Sequence, residues 1–284
     1  MRSTYRLLIS CPDKRGIVAK VSAFIAQHQG WIEESYHHSD PVTQRFNVRH
    51  EIRADSLNIS IEQFKTLFTP LAKELALTWF IKDAAIKKRV ALFVSKQSHC
   101  LADILYRWRS NELDMEIPCV VSNHEDLRSY VEWHGIPFHH VPIDKHNKSA
   151  SYDFIKKKLD FYQIDTIVLA RYMQIIPPSL CQQYKNQLIN IHHSFLPSFI
   201  GAKPYHQAYD RGVKLIGATC HYVTEALDAG PIIEQDVVRV QHSHLPEDMV
   251  RLGKDVEKSV LARGLRYHLE DRIIVHQNKT IILQ

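Results

Sequence analysis

Two short segments carry residue types that can handle protons around a reactive group. Asn190 and His192 stand two residues apart at the end of an apolar run, 188–191, and Asp228 follows 38 residues after Asn190 in a stretch rich in turn formers. Side chains two apart on a strand point to the same side, so Asn190 and His192 can reach one ligand. An acid in the later loop can orient a histidine or a water. Either segment alone is common without catalysis, and only their combination suggests a site.

The sequence around these segments predicts a doubly wound, mostly parallel α/β domain. Short apolar runs alternate with amphipathic stretches, which is typical of βαβ units. The predicted strands are residues 90–95, 117–122, 138–142, 166–170, 188–191, 214–223 and 232–240. Ligands of such sheets bind beyond the carboxyl ends of the strands, so the residues just after Ile191 lie where an active site is expected.

Residues 1–83 predict a separate ferredoxin-like domain with the order β-α-β-β-α-β. Its predicted strands are residues 5–11, 31–38, 44–53 and 77–82, with apolar helical periodicity after the first and third strands. Residues 84–89 are short and polar, and this pattern predicts a linker to a second domain over 90–284.

The segment from Cys11 to Phe24, CPDKRGIVAKVSAF, resembles the opening of an ACT domain. The resemblance implies a regulatory or oligomerising module, because such domains commonly bind amino acids between paired copies. The loop containing Asp13, Arg15 and Gly16 precedes a helix, whose free N–H groups suit a carboxylate. A module that only joins subunits remains the alternative.

The segments around Asn190 and Asp228 together resemble the catalytic core of the folate-dependent formyltransferase family over about residues 88–284. In that family an Asn-Ile-His strand end and a Leu-Asp-x-Gly-Pro loop supply the catalytic residues, which implies Asn190, His192 and Asp228 here. Attack on an N-formyl carbon creates an oxyanion, which the Asn190 amide and a protonated His192 would stabilise. Asp228 would orient His192, raise its pKa and accept a hydrogen bond from the attacking water.

The same resemblance implies a substrate pocket. The segment after residue 170 matches the family segment that lines the pterin pocket, although apolar side chains there could equally be plain core. His193 and the loop containing Gly201 would close the side on which the formyl acceptor lies. The predicted substrate-binding residues are Met173, Gln174, Ile175, Ile176, His193 and Gly201.

The acceptor is predicted from departures within the family. Glycinamide-ribonucleotide formyltransferases cradle a phosphate with a glycine-rich loop, whereas residues 95–102 contain no glycine. Methionyl-tRNA formyltransferases carry a further C-terminal domain, for which the sequence ending at Gln284 leaves no room. Over its full length the chain instead resembles the formyltetrahydrofolate deformylases, which implies water as the acceptor and formate for purine synthesis as the product, with glycine or methionine as effectors.

Two alternatives stay open. The chain could transfer the formyl group to an amine held by Lys203 or Arg171, or it could be a regulatory ACT protein with an inactive transferase fold. Retention of Asn190, His192 and Asp228 together argues against inactivity.

Composition narrows the remaining function classes. The net charge is +5, with 36 Lys and Arg interleaved among 31 acids, which is too dilute for nucleic-acid binding. No long apolar run or signal peptide occurs, so a cytoplasmic location without membrane contact is predicted. Five scattered cysteines and the paired histidines lack CxxC or HExxH spacing, which predicts no metal and no cofactor. A homo-oligomer is expected from the ACT resemblance.

Overall fold

The computed structural model of the chain describes residues 3–197 and 204–284, which group into two compact units. The first unit runs to Lys87 and also contains Glu270–Ile274 and Ile281–Gln284. The second unit comprises Lys88–Leu269 and Val275–Thr280. Gly201, predicted to bind substrate, and Lys203, named as a possible acceptor site, lie outside the described residues.

The first unit confirms the predicted β-α-β-β-α-β order. Its elements are β1 (Thr4–Pro12), α1 (Ile17–Gln27), β2 (Ile32–Asp40), β3 (Arg45–Arg53), α2 (Ile61–Glu74) and β4 (Thr78–Asp83), with a short 3-10 turn at Ala54–Ser56. The strands form an antiparallel sheet in the order β2-β3-β1-β4. Alternate apolar residues of β1 and β3 pack against the inner faces of both helices.

Helix boundaries in the first unit follow from local chemistry. Gly16 precedes α1 with a φ of 88°, a left-handed conformation that glycine adopts without a steric cost. Ser60 caps α2 by accepting a hydrogen bond from the Gln63 N–H, and the Gln63 side chain accepts one from the Ser60 N–H. This capping box satisfies two backbone donors that a helix start leaves unpaired.

The C-terminal segments complete the first unit through charged contacts. Arg49 is fully buried in β3, and its guanidinium donates to the Glu51 carboxylate at 2.6 Å and to the Glu270 carbonyl at 3.2 Å. Asp271 forms ion pairs with Arg6 at 3.5 Å and with Lys82 at 3.3 Å. A buried cation requires such partners, because its desolvation is otherwise costly.

The observed division therefore differs from the predicted boundaries at two places. The predicted second domain ends at residue 284, whereas Glu270–Ile274 and Ile281–Gln284 group with the first unit. The predicted linker covers 84–89, whereas the first strand of the second unit already begins at Lys88. Arg89 in that strand donates a hydrogen bond to the Tyr162 carbonyl at 2.8 Å. The end of the predicted linker is therefore part of the sheet.

The buried His50 of β3 leads to a prediction about acid stability. Burial, with a smaller contribution from His37, lowers the pKa of His50 to about 4. Between pH ~6.5 and ~4, His50 is protonated in the unfolded chain but neutral in the folded chain. The free energy of unfolding therefore falls by about 3 kcal/mol as the pH drops through this range. We expect the thermal midpoint of the protein to fall accordingly, and the fall to be smaller in His50→Gln.

The matched control is His38→Gln, because His38 lies on the neighbouring strand with an exposed side chain. Circular dichroism gives the thermal midpoint of each variant at several pH values from 7.5 to 4.5. The slope of the midpoint against pH is then compared between the two variants. An unchanged slope in His50→Gln would contradict the assignment.

The second unit confirms the predicted doubly wound, mostly parallel fold, and each of the seven predicted strands is present. Its helices and strands are β5 (Lys88–Val94), α3 (His99–Arg109), β6 (Met115–Ser122), α4 (Arg128–Trp133), β7 (Phe138–His140), α5 (Lys148–Phe161), β8 (Thr166–Leu169), α6 (Pro178–Gln183), β9 (Leu188–His192), α7 (Pro204–Asp210), β10 (Leu215–Tyr222), β11 (Ile232–Arg239) and α8 (Pro246–Leu269). A separate hairpin, β12 (Ile273–His276) and β13 (Lys279–Ile282), follows.

The sheet of the second unit has the order β11-β10-β9-β8-β5-β6-β7. The strands from β5 to β9 are parallel, while β10 and β11 run antiparallel to their neighbours. Strands β5 and β8 are almost wholly apolar and buried, as expected for a sheet covered on both faces. Within the described ranges, no helix has the length and apolar character needed to cross a membrane.

Candidate active site

The two polar residues of β9 face one cavity, as their spacing predicts. Asn190 pairs with His221 of the antiparallel strand β10, and His192 pairs with Thr219. Asn190, His192 and Asp228 all line a cavity of about 260 Å³. The site thus forms where β9 ends, on the antiparallel flank of the sheet.

His192 and Asp228 form a hydrogen-bonded pair at the centre of this cavity. The His192 Nδ1 lies 3.3 Å from the Asp228 Oδ2, and the two side chains are 7% and 15% exposed. The hydrogen bond from His192 lowers the pKa of Asp228, against the opposing effect of burial. The His192 Nε2 is buried and has no hydrogen-bond partner among the described residues. The carboxylate therefore orients the ring, and the opposite nitrogen remains available to a ligand.

The loop that carries Asp228 has special backbone requirements. Asp228 has a φ of 52°, in the left-handed region that Asp and Asn tolerate better than most residues. At Gly230 a Cβ atom would lie 1.8 Å from the Tyr222 carbonyl oxygen, so no larger residue fits without displacing the backbone. The sequence Asp-Ala-Gly-Pro thus holds the loop tightly against β10.

His221 completes the site, although sequence reasoning assigns it no role. Its Nδ1 lies 2.9 Å from the Tyr222 carbonyl oxygen, and its Nε2 lies 3.2 Å from the Asn190 Nδ2. Burial lowers the pKa of His221, so the ring is neutral near pH 7. The Nδ1–H donates to the carbonyl, which leaves Nε2 to accept a hydrogen bond from the Asn190 amide. His221 therefore fixes the orientation of Asn190.

The predicted pterin-pocket residues also reach this cavity. Met173, Gln174, Ile175 and Ile176 all contribute to its wall. Met173 and Ile175 are 57% and 60% exposed, whereas Ile176 is buried and also packs in the core. Exposed apolar side chains at a cavity offer a surface for a flat ring. Ile176 thus lines the cavity and also shows the plain core packing that is the alternative to its predicted role.

His193 lines the same cavity but has a different environment from His192. Burial, reinforced by the nearby charge of Arg171, lowers the pKa of His193 to about 4. Its ring stacks on His192 with the centroids 5.2 Å apart. His193 is therefore a neutral wall of the site at physiological pH.

The predicted regulatory loop lies at a separate depression in the first unit. Asp13 and Gly16 line this depression together with Ile17, Ser22 and Phe46. Arg15 is not among its lining residues. The Asp13 carboxylate already accepts a hydrogen bond from the Ser39 hydroxyl. The loop thus meets a pocket through two of its three predicted residues.

Comparison with known proteins shows similarity over both units. Residues 88–265 match the formyl transferase family. A formyltetrahydrofolate deformylase of Synechocystis is 50% identical, and the alignment covers 98% of each chain. One from Bacillus subtilis is 48% identical over 98% of this chain and 93% of its own. The crystal structure of a formyltetrahydrofolate deformylase from Pseudomonas syringae is 62% identical, with a TM-score of 0.98 over 100% of this chain and 95% of that one.

Proposed function

The chain belongs to the formyl transferase family, and we propose that within it the chain hydrolyses 10-formyltetrahydrofolate to formate and tetrahydrofolate. The observation that carries this proposal is the His192–Asp228 pair at 3.3 Å, whose free ring nitrogen borders a cavity with exposed apolar side chains. The similarity to deformylases over both units supports water, and not an amine, as the acceptor.

The proposed reaction begins with water at the formyl carbon. Asp228 accepts a hydrogen bond from this water, whose oxygen forms the new bond to carbon. The carbonyl π electrons move to oxygen, and the resulting oxyanion is stabilised by hydrogen bonds from the Asn190 amide and the protonated Nε2 of His192. His221 supports this step by holding the amide in place, since its Nε2 lies 3.2 Å from the Asn190 Nδ2.

Collapse of the tetrahedral intermediate completes the reaction. The bond between the formyl carbon and N10 breaks, and its electron pair goes to N10 together with one proton from the water. The water's oxygen stays on formic acid, whose ionisation releases the remaining proton. Formate and tetrahydrofolate are then the products, so the atoms and charges balance.

Several further features are part of the proposal. Met173, Gln174, Ile175 and Ile176 would contact the pterin, and His193 would close the acceptor side. The residues proposed above supply hydrogen bonding to the attacking water and stabilisation of the oxyanion, so we propose that no metal or other cofactor takes part. We also propose a cytoplasmic homo-oligomer that supplies formate for purine synthesis and binds glycine or methionine at the loop containing Asp13 and Gly16.

The function is tested by following the labelled formyl group. We expect purified protein, given 10-formyltetrahydrofolate and no amine, to release formate and tetrahydrofolate in equal amounts. Addition of glycinamide ribonucleotide is expected neither to speed the loss of substrate nor to yield a formylated amine. A formylated amine as the main product would overturn the deformylase assignment in favour of a transferase. Absence of turnover with and without amine would instead indicate an inactive transferase fold.

A further inference from the structure

Arg171 follows the carboxyl end of β8 and reaches the catalytic cavity. It adopts a φ of 65°, and its side chain is only 10% exposed. Among the described residues that line the cavity, it is the one lysine or arginine. The proposed mechanism gives this permanent cation no task. A strained backbone and a nearly buried charge at a reaction site together call for a physical explanation.

Glu257 of α8 forms an ion pair with Arg171. The Arg171 Nε lies 3.4 Å from the Glu257 Oε2, and the Glu257 side chain is 1% exposed. The same carboxylate lies 2.7 Å from the His99 Nε2 and accepts a hydrogen bond from the Tyr205 hydroxyl at 2.7 Å. Burial opposes ionisation, but the hydrogen bond from His99 and the charge of Arg171 outweigh it, and the pKa of Glu257 is lowered. Glu257 thus remains an anion that holds the guanidinium by its Nε side.

A metal site is the competing interpretation of this cluster. Ligand atoms of His99, Cys100 and Glu257 lie within 4.8 Å of one another. Both carboxylate oxygens of Glu257 already have partners, and the guanidinium beside them repels a second cation. The cluster is better explained as the support of Arg171.

The terminal nitrogens of Arg171 have no hydrogen-bond partner among the described residues. In residues 3–197 and 204–284, Arg171 has an ion pair with Glu257, 3.4 Å from its Nε, and no hydrogen bond to any of its nitrogens, the buried Nε included. A guanidinium presents its terminal N–H groups in a rigid fork that matches the two oxygens of a carboxylate. Because the ion pair with Glu257 lies at Nε, the terminal N–H groups remain for a small anion in the cavity.

From this arrangement we propose that Arg171 is the residue that binds formate, the carboxylate product, as it forms. The inference rests on the proposed hydrolysis, which converts an uncharged formyl group into an anion. The cavity already holds the ionised Asp228, whose counter-charge in the proposed mechanism is the protonated His192, so a second anion there requires a further cation to offset it. His193 is neutral at physiological pH and cannot do so. Arg171 thereby lets the product form in a cavity that otherwise disfavours it.

Arg171 is expected to affect the binding of the product more than the binding of the substrate. The N-formyl group is neutral, so Arg171 contributes little to the binding of this group but one or two charge-assisted hydrogen bonds to formate. Each such bond is worth about 1.5–3 kcal/mol, which corresponds to roughly a tenfold to hundredfold change in affinity. Product inhibition by formate is therefore the quantity that Arg171 controls.

The test measures inhibition of substrate hydrolysis by added sodium formate, with ionic strength held constant by sodium chloride. We expect Arg171→Met to raise the inhibition constant of formate about tenfold or more, while KM for 10-formyltetrahydrofolate changes less than about threefold. Arg171→Lys, which keeps the charge but loses the fork, is expected to lie between. The control is Arg128→Met, because Arg128 pairs with Glu125 on an exposed helix and is not among the described cavity residues.

A second variant guards against misfolding, since Arg171→Met leaves the buried Glu257 without its cation. Arg171→Met with Glu257→Gln removes both charges, and line broadening of ¹³C-labelled formate reports binding even where turnover is lost. Unchanged formate affinity in folded Arg171 variants overturns the inference, although wild-type hydrolysis still stands. Absence of hydrolysis by the wild-type protein would instead overturn the proposed function.

Discussion

Asp228→Asn is expected to fold normally and to lower kcat about 10³- to 10⁴-fold. Asn has nearly the same volume and tolerates the left-handed φ of 52° found at this position, so the loop keeps its shape. What disappears is the negative charge beside His192, whose Nδ1 lies 3.3 Å from the carboxylate. Without it the imidazolium loses its counter-charge, and the attacking water loses its acceptor.

Steady-state release of formate measures this loss, and circular dichroism with thermal unfolding confirms the fold. Glu225→Gln is the matched control, because Glu225 is an exposed acid in the same loop that also lines the cavity. We expect its kcat to stay within about threefold of the wild type. Turnover near the wild-type rate in Asp228→Asn would remove Asp228 from the mechanism.

His192→Ala is the second variant with a large expected effect, a loss of about 10²- to 10⁴-fold in kcat. The substitution removes the Nε2 donor that has no other partner in the described structure. Because Asp228 acts largely through this ring, the double variant with Asp228→Asn is expected to be little worse than the more impaired single variant.

A double-mutant cycle on kcat measures this coupling. His242→Ala, in an exposed loop, controls for the general effect of removing a histidine. Multiplication of the two single losses in the double variant would show that the residues act independently. That result would contradict the proposed dependence of His192 on Asp228.

Those cavity residues that are marked by a local sequence pattern could be predicted from the sequence. Alternation on one strand aligns Asn190 with His192, and the turn formers around Asp228 mark its loop. His221 escapes this reasoning, because its meeting with Asn190 depends on the antiparallel register between β9 and β10. No local periodicity specifies that register.

The same limit explains the missed support of Arg171. Glu257 lies 86 positions further along the sequence, within a helix whose pattern alone suggests a polar residue on an ordinary amphipathic surface. Only packing of α8 against the strands reveals that the carboxylate is 1% exposed and faces a guanidinium. Charges that are buried in pairs are thus least visible in sequence, since each member resembles a solvated residue.

Glu270–Ile274 and Ile281–Gln284 are synthesised long after the rest of the first unit. The carbonyl of Glu270 lies 221 positions after the buried Arg49 to which it bonds. At ribosomal speeds of about 5–20 residues per second, roughly 10–40 s separate their synthesis. The first unit is therefore begun before the second unit and completed only after Lys88–Leu269 has been synthesised. A chain terminated near Leu269 would contain the catalytic strands but lack the segments that complete the first unit, so an early stop at the C-terminal end would leave a defect in the N-terminal unit.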